Sequence, residues 1–267
     1  MMGNKVIFGR YVPTTSLIHH LDPRFKFIAC FWYVILVFFA NNLWTNLWLG
    51  LVLLFIIRLS HVALKMYWAG IKPLMWIIII TAAVQLFFST GGHVYWQWHF
   101  MSITSVGMIQ SLYLILRFAF IITISTVLTV TTTTLQLADA IESLMKPLKH
   151  LKVPINQIAM MLSIALRFIP TIMDEVTTIM NAQRARGMDF STGNLYQRAR
   201  KLVPVMIPLF VSSFKRAEEL AIAMEARGYS PDGQRTKYRL LVWHHQDTVA
   251  VVILLLITVI LVTLRIF

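Results

Sequence analysis

Five long apolar runs constrain what this chain can fold into more than any other feature. They cover residues 27–40, 43–57, 74–88, 106–130 and 248–264. A membrane-spanning helix needs about 20 mostly apolar residues, or fewer when suitable residues flank it at the interface. Of the 267 residues, 58% are hydrophobic, which is too apolar for a soluble globule of this length. The sequence therefore predicts an all-α, polytopic membrane protein with about five transmembrane helices.

The distribution of basic residues orients these helices. The chain carries 24 Lys and Arg residues against 11 Asp and Glu residues. Most of the basic residues lie in segments 1–26, 58–72 and 131–245, whereas the loops at 41–47 and 89–105 contain none. The positive-inside rule therefore places the N-terminus and the long segment in the cytoplasm of a multi-pass cell-membrane protein. Because topology accounts for the basic excess, we expect the lipid bilayer as a partner and no nucleic acid.

This orientation divides the chain into three parts. Residues 1–130 are predicted to form an N-terminal transmembrane bundle of four spans, and residues 246–267 a C-terminal transmembrane helix. Residues 131–245 are predicted to form a cytoplasmic domain of long amphipathic helices, because apolar residues recur there on one helical face. The three helix patterns cover about 135–152, 155–186 and 203–227.

Local signals mark the ends and interruptions of these helices. Thr133 and Gln136 have the spacing of a capping box, in which each side chain bonds the other residue's backbone amide. Pro170 and Pro208 fall inside the second and third patterns, where we expect each proline to kink or break the helix.

The tripeptide Ala-Arg-Gly occurs twice, each time where a long amphipathic pattern stops. The first copy is Ala185-Arg186-Gly187 and the second is Ala226-Arg227-Gly228, 41 residues further on. Either copy alone is well explained as a helix C-cap with a cation at the negative end of the helix dipole. Two copies at the ends of similar helices indicate docking instead, because a guanidinium can hold carboxylates or carbonyls in a groove of a partner.

The chemistry of an enzyme or of an ion pathway is not visible in the sequence. There is no Gly-x-x-x-x-Gly-Lys-Ser/Thr loop for ATP and no His-Glu-x-x-His metal motif, so we expect no catalytic residues, no metal site and no cofactor in this chain. Gln85 and Arg117 are polar residues within apolar runs, where packing or snorkelling is favoured over a transport pathway.

At this point the chain resembles a known family, the transmembrane T component (EcfT/CbiQ-like) of energy-coupling factor (ECF) transporters. The two Ala-Arg-Gly motifs match that family's paired X-Arg-X signature at the ends of two coupling helices. The N-terminal pattern Leu21-Asp22-Pro23-Arg24-x-Lys26 and the segment Arg167-Phe168-Ile169-Pro170 are also similar to the family's. The resemblance covers nearly the whole chain.

The resemblance implies a subunit without its own catalysis in an ATP-driven importer of vitamins or other micronutrients. It implies two ABC ATPase subunits (EcfA- and EcfA′-like), which bind the ATP and Mg, and a membrane-embedded S component that binds the substrate. Arg186 and Arg227, with their flanking Ala and Gly residues, would dock on the ATPases. The long helices would pass the ATPase movement to the S component.

Two other classes of function are weighed against this interpretation. A stand-alone channel or secondary transporter predicts inverted repeats, broken helices and a polar pathway through the spans. A membrane-embedded enzyme predicts paired carboxylates or metal ligands at spanning depth, whereas the acids of this chain lie outside its apolar runs or at their borders. Neither pattern is visible in the sequence, so the T component is the leading hypothesis.

Overall fold

The computed structural model describes residues 16–98, 101–147, 154–230 and 241–266, and most of these are helical. The chain forms two compact units, Met1–Leu144 with Leu241–Phe267 and Met145–Leu240. Lys5 and Arg10, which contributed to the predicted orientation, lie outside the described residues, as do 148–152 of the first amphipathic pattern.

The first unit contains the apolar helices and one small sheet. Its elements are α1 (Leu17–His20), α2 (Pro23–Phe39), α3 (Leu43–Ser60), α4 (Leu64–Ile71), a 3₁₀ turn (Lys72–Leu74), α5 (Met75–Phe88), β1 (Val94–Trp98), β2 (Met101–Thr104), α6 (Ser105–Thr131), α7 (Thr134–Met145) and α10 (His245–Ile266). The predicted capping box begins α7, because the Thr133 amide donates to Gln136 Oε1 (3.0 Å) and the Gln136 amide donates to Thr133 Oγ1 (3.2 Å).

The second unit consists mainly of two long helices, α8 (Ile155–Ala185) and α9 (Leu195–Ala226). Both run through their prolines, Pro170 in α8 and Pro204 and Pro208 in α9. Neither helix is broken at Pro170 or Pro208, so of the two predicted outcomes, a kink or a break, the break is wrong and the kink stays a prediction. An internal proline removes one backbone hydrogen bond, and the turns on either side are long enough here to continue the helix.

The core of the first unit lies where α2, α3, α6 and α10 pack together. Its best-buried members include Tyr33, Val37, Leu49 and Leu261, each at most 2% exposed. Tyr33 also donates from its hydroxyl to the Leu49 carbonyl oxygen at 2.9 Å, which satisfies the one polar atom of its side chain. Helix α10, at the end of the chain, is thus part of the same bundle as α2 near its start.

Among the described residues, five helices are long and apolar enough to cross a membrane, which agrees with the predicted number. The set differs from the predicted one. They are Leu43–Ser60, Leu64–Phe88, Ser105–Thr131, Gln157–Ala185 and His245–Ile266. Run 27–40 became α2, which with 17 residues is at the short limit for spanning. The segment Gln157–Ala185 of α8 is among the candidate spans because it is long and sparsely charged. Length and composition alone do not distinguish such an amphipathic helix from a transmembrane helix.

Two connections are more ordered than the sequence indicated. The loop at 89–105 contains an antiparallel hairpin of β1 and β2, with Trp96 opposite Ile103, so the all-α class gains two short strands. Its aromatic residues Tyr95, Trp96 and Trp98 are of types that favour strands as well as the membrane interface. Within the 58–72 connection, α4 continues through a 3₁₀ turn into α5, and that turn begins at Lys72 before Pro73.

A buried polar cluster joins the starts of α2 and α10 to the end of α6. Asp247 is fully buried, and its two carboxylate oxygens accept from the backbone amides of Asp22 (2.7 Å) and His244 (2.8 Å). Asp22 caps α2 by accepting from the Arg24 amide at 2.8 Å. The Lys26 ammonium donates to the Thr131 carbonyl at 3.2 Å, at the last residue of α6.

We expect Asp247→Ala to lower the free energy of unfolding by at least about 2 kcal/mol, because it leaves two buried backbone amides without acceptors. Thermal unfolding in detergent, followed by tryptophan fluorescence, measures this loss as a fall of roughly 5 °C or more in the midpoint. Asp247→Asn keeps one acceptor oxygen and is expected to lose less. A midpoint unchanged by Asp247→Ala would show that the cluster does not hold the helices together.

Candidate functional site

The first Ala-Arg-Gly motif closes helix α8 with a Schellman motif. Ala185 is the last helical residue, Arg186 is the C-cap, and Gly187 has a backbone φ of +87°. This left-handed conformation is favourable only for glycine and turns the next amides back toward the helix. The closing hydrogen bonds run from the Gly187 amide to the Arg184 carbonyl (3.0 Å) and from the Met188 amide to the Gln183 carbonyl (3.0 Å).

The second motif closes helix α9 in the same way. Ala226 is the last helical residue, Arg227 is the C-cap, and Gly228 has φ of +69°. The closing hydrogen bonds run from the Gly228 amide to the Glu225 carbonyl (2.9 Å) and from the Tyr229 amide to the Met224 carbonyl (3.0 Å). The sequence prediction that both motifs lie at helix ends is therefore correct at both sites, and the two ends share one backbone geometry.

Neither cap uses the arginine side chain. The carbonyls at each helix end are satisfied by backbone amides, while Arg186 and Arg227 are both exposed. Within the described residues, neither guanidinium has a hydrogen-bond or ion-pair partner. A positive charge at a helix C-terminus contributes a few tenths to about 1 kcal/mol through the helix dipole, and Lys would contribute as much. Both guanidinium groups therefore keep all their donors available for another molecule.

The backbone that follows the first motif is held in place by side chains. Lys201 donates from its ammonium to the carbonyls of Asp189 (2.7 Å) and Thr192 (2.8 Å). The Asp189 carboxylate accepts from the Ser191 hydroxyl (2.7 Å) and amide (2.9 Å), and these bonds hold the pKa of Asp189 below its ordinary range. After the second motif, residues 231–240 lie outside the described part of the chain.

The two polar residues predicted inside apolar runs have partners within the membrane bundle. Gln85 Nε2 donates to Gln110 Oε1 at 2.8 Å, and the same oxygen accepts from the Ser89 hydroxyl at 3.0 Å. The Arg117 guanidinium lies 5.3 Å from the ring centroid of Phe38. These contacts support the packing interpretation over a transport pathway.

Sequence reasoning missed two charged contacts. One is the Asp22–Asp247 cluster, whose only sequence signal is a pair of acids at the borders of the first and last apolar runs. The other is an ion pair between the Arg216 guanidinium and the Glu175 carboxylate at 3.1 Å. Among the described residues, no group of three or more His, Cys, Asp and Glu side chains has the arrangement of a metal site.

The geometry thus defines a multi-pass helical membrane protein with two long helices that end in matched, unpaired arginines. Residues 14–238 match the family model CbiQ, described as cobalt transport protein. The chain is 57% identical over 265 residues to the energy-coupling factor transporter transmembrane protein EcfT of Limosilactobacillus fermentum, with 99% of each chain covered. It is 46% identical over 264 residues to the EcfT of Bacillus subtilis, with 99% of this chain and 100% of the relative covered.

The chain therefore belongs to the CbiQ/EcfT family, the transmembrane T components of energy-coupling factor transporters. The resemblance stated from the motifs is confirmed by these matches over nearly the full length. The docking role of Ala185, Arg186, Gly187, Ala226, Arg227 and Gly228 stays a prediction.

We expect Gly187→Ala and Gly228→Ala each to loosen its own helix end, because a Cβ in the left-handed region costs about 1–2 kcal/mol. At both positions a Cβ would meet no atom within 4 Å, so backbone strain alone is tested. Hydrogen exchange at the Met188 or Tyr229 amide should accelerate by about 5–30-fold.

The matched controls are Gly187→Asn and Gly228→Asn, since Asn adopts the left-handed conformation more readily than Ala. These variants should retain most of the protection. Wild-type exchange rates in both Ala variants would contradict the assignment of the two caps.

Proposed function

We propose that this chain is the non-catalytic scaffold that couples ATP hydrolysis to transport in an ATP-driven importer. In this proposal Arg186 and Arg227 dock on two related ABC ATPase subunits, one arginine on each. The observation that carries the proposal is the pair of identical caps in which the backbone completes the helix end and the guanidinium remains unused. Two helix ends with the same geometry fit two similar docking grooves, one on each ATPase subunit, better than they fit a single groove.

The side chain at these positions suits a groove on a partner. Arginine presents five N–H donors in a planar fork and stays charged at any physiological pH, so it can bind carboxylates or carbonyls bidentately. The C-cap directly follows the last helical residue, so a force on the guanidinium acts along a helix of about 30 residues. Such a helix is about 45 Å long and stiff enough to act as a lever.

The remaining parts of the proposal follow from topology and from what the chain lacks. Its sequence contains no phosphate-binding loop, so ATP and Mg would be bound by the partner ATPases and not by this chain. The N-terminus and the 131–245 segment would face the cytoplasm, where those ATPases are. A separate membrane-embedded S component would bind the vitamin or other micronutrient and would be moved by the long helices.

We expect the double variant Arg186→Glu with Arg227→Glu to abolish ATP-driven uptake while the membrane bundle stays folded. Charge reversal replaces a donor fork with an acceptor in both grooves, whereas each single change should reduce uptake less because one groove remains filled. Uptake of radiolabelled substrate by the complex in proteoliposomes measures the effect.

The matched control is Arg198→Glu with Arg200→Glu, which changes the net charge equally at exposed positions near the start of α9. This variant should transport at the wild-type rate. Wild-type uptake in the Arg186/Arg227 double variant would overturn the docking role.

Purification in mild detergent tests the partners directly. Affinity-tagged chain should bring down two ATPase subunits and one small hydrophobic protein, and the Arg186→Glu/Arg227→Glu variant should lose the ATPases and keep the hydrophobic protein. If the chain purifies alone and by itself restores substrate uptake in liposomes, it is a stand-alone channel or secondary transporter.

A further inference from the structure

Helices α8 and α9, each ending in an Ala-Arg-Gly motif, form a repeat with an offset of 41 residues. We call the two helices the first and second arm, and the motif at the end of each its tip. The ion pair between the arms joins positions that are equivalent in this repeat. Arg186 and Arg227 are 41 residues apart, and so are Glu175 and Arg216. Each member of the pair therefore precedes its own capping arginine by eleven residues. The contact between α8 and α9 occurs at the same place along both arms when each arm is measured from its tip.

The local geometry makes this contact specific. The Arg216 guanidinium lies 3.1 Å from the Glu175 carboxylate and 5.8 Å from the ring centroid of Phe168. Phe168 lies seven residues before Glu175, which places both on one face of α8. The two charged side chains are 31% and 22% exposed, so the pair is partly shielded from water. A planar cation that contacts a carboxylate and an aromatic ring together is held more firmly than one with a single partner.

The residues just before Glu175 and Arg216 also carry opposite charges, but they do not contact each other. Asp174 precedes Glu175 and Lys215 precedes Arg216, so the first arm is acidic and the second is basic at equivalent positions. Both neighbours are exposed, and Asp174 and Lys215 form no ion pair in the described residues. Of these two sets of opposite charges, Glu175 and Arg216 are therefore the pair that is partly buried and in contact.

We propose that the Glu175–Arg216 pair is the contact that sets the two arms relative to each other and so positions Arg186 and Arg227 for docking. Eleven residues of helix correspond to about 16 Å, so both tips lie equally far along their helices from the contact. Pro170, Pro204 and Pro208 all lie before the contact in their helices, so no proline interrupts either tip segment. Both residues are positioning residues, and the inference rests on the proposed function of the two arginines.

The test reverses the charges singly and together in the reconstituted complex. Glu175→Arg and Arg216→Glu are each expected to lower the substrate transported per ATP hydrolysed by up to about fivefold, the factor for the roughly 1 kcal/mol that a partly exposed ion pair contributes. The double variant, with the charges exchanged, should recover most of the wild-type ratio. Asp174→Arg and Lys215→Glu make the same charge changes one residue away and should leave the ratio unchanged.

A distance measurement in the full-length chain separates this inference from the docking role. Ala182 and Ala223 are exposed and equivalent in the repeat. Spin labels on Ala182→Cys and Ala223→Cys, in a Cys30→Ser background, should give a narrow distance distribution by pulsed electron resonance. Each single reversal should broaden it, and the exchanged pair should narrow it again.

The outcomes assign failure to one idea or the other. Single reversals with a wild-type distance distribution would overturn the positioning role, whatever their effect on transport. So would an exchanged pair that regains neither the narrow distribution nor the coupling ratio. Transport that survives Arg186→Glu with Arg227→Glu would overturn the docking role, while the distance measurement would still decide how the arms are set.

Discussion

The need to satisfy the carbonyl groups at a helix C-terminus determines the backbone geometry at the ends of α8 and α9. An α-helix leaves its last carbonyls without intrahelical partners. At Gly187 and Gly228 a positive φ turns the chain so that the next two amides supply those partners. Because the backbone completes both caps, Arg186 and Arg227 are not needed for them. A structural requirement met by glycine thus leaves the adjacent arginine side chain out of the cap.

Three helix ends in the membrane bundle bring charged side chains of opposite sign together. Asp22 and Asp247 lie at the N-termini of α2 and α10, where the helix dipole favours negative charge. Lys26 donates to Thr131 at the C-terminus of α6, where a positive charge is favoured. The charges at these three helix ends therefore offset one another. Helix α7 begins three residues after Thr131, directly after the end of α6 to which Lys26 donates.

Local features were predictable from the sequence, whereas contacts between distant segments were not. The Thr133–Gln136 capping box and the two arginine caps depend on residues within one helical turn, and their bonds are as expected. Family membership was also predictable, because the two arginine motifs recur in context. In contrast, the Asp22 amide meets a carboxylate 225 residues away, and no spacing rule encodes such a distance.

The predicted spans and the helices that are long and apolar enough to cross a membrane differ at α2 and α8. Helix α2 is short because a proline at its start and the turn after Phe39 limit it to 17 residues. Helix α8 is long and carries few charges, so apolar content alone makes it a candidate span. Its amphipathic stripe argues for a protein partner on one face, and hydropathy averages over that stripe. The hairpin at 94–104 was missed because aromatic residues suit an interfacial belt and a strand equally well.

The charged contact between the long helices is better understood as a selector of register than as a source of stability. A partly exposed ion pair contributes at most about 1 kcal/mol. Sliding one helix by a turn would place Glu175 against Ser212 or Leu220 and leave Arg216 without its carboxylate. Apolar contacts are not directional, so they would not by themselves prevent such a slide. The pair does not tolerate it, because an unpaired, partly buried charge is costly. In this proposal, one acid on α8 and one base on α9 set the register of the two helices.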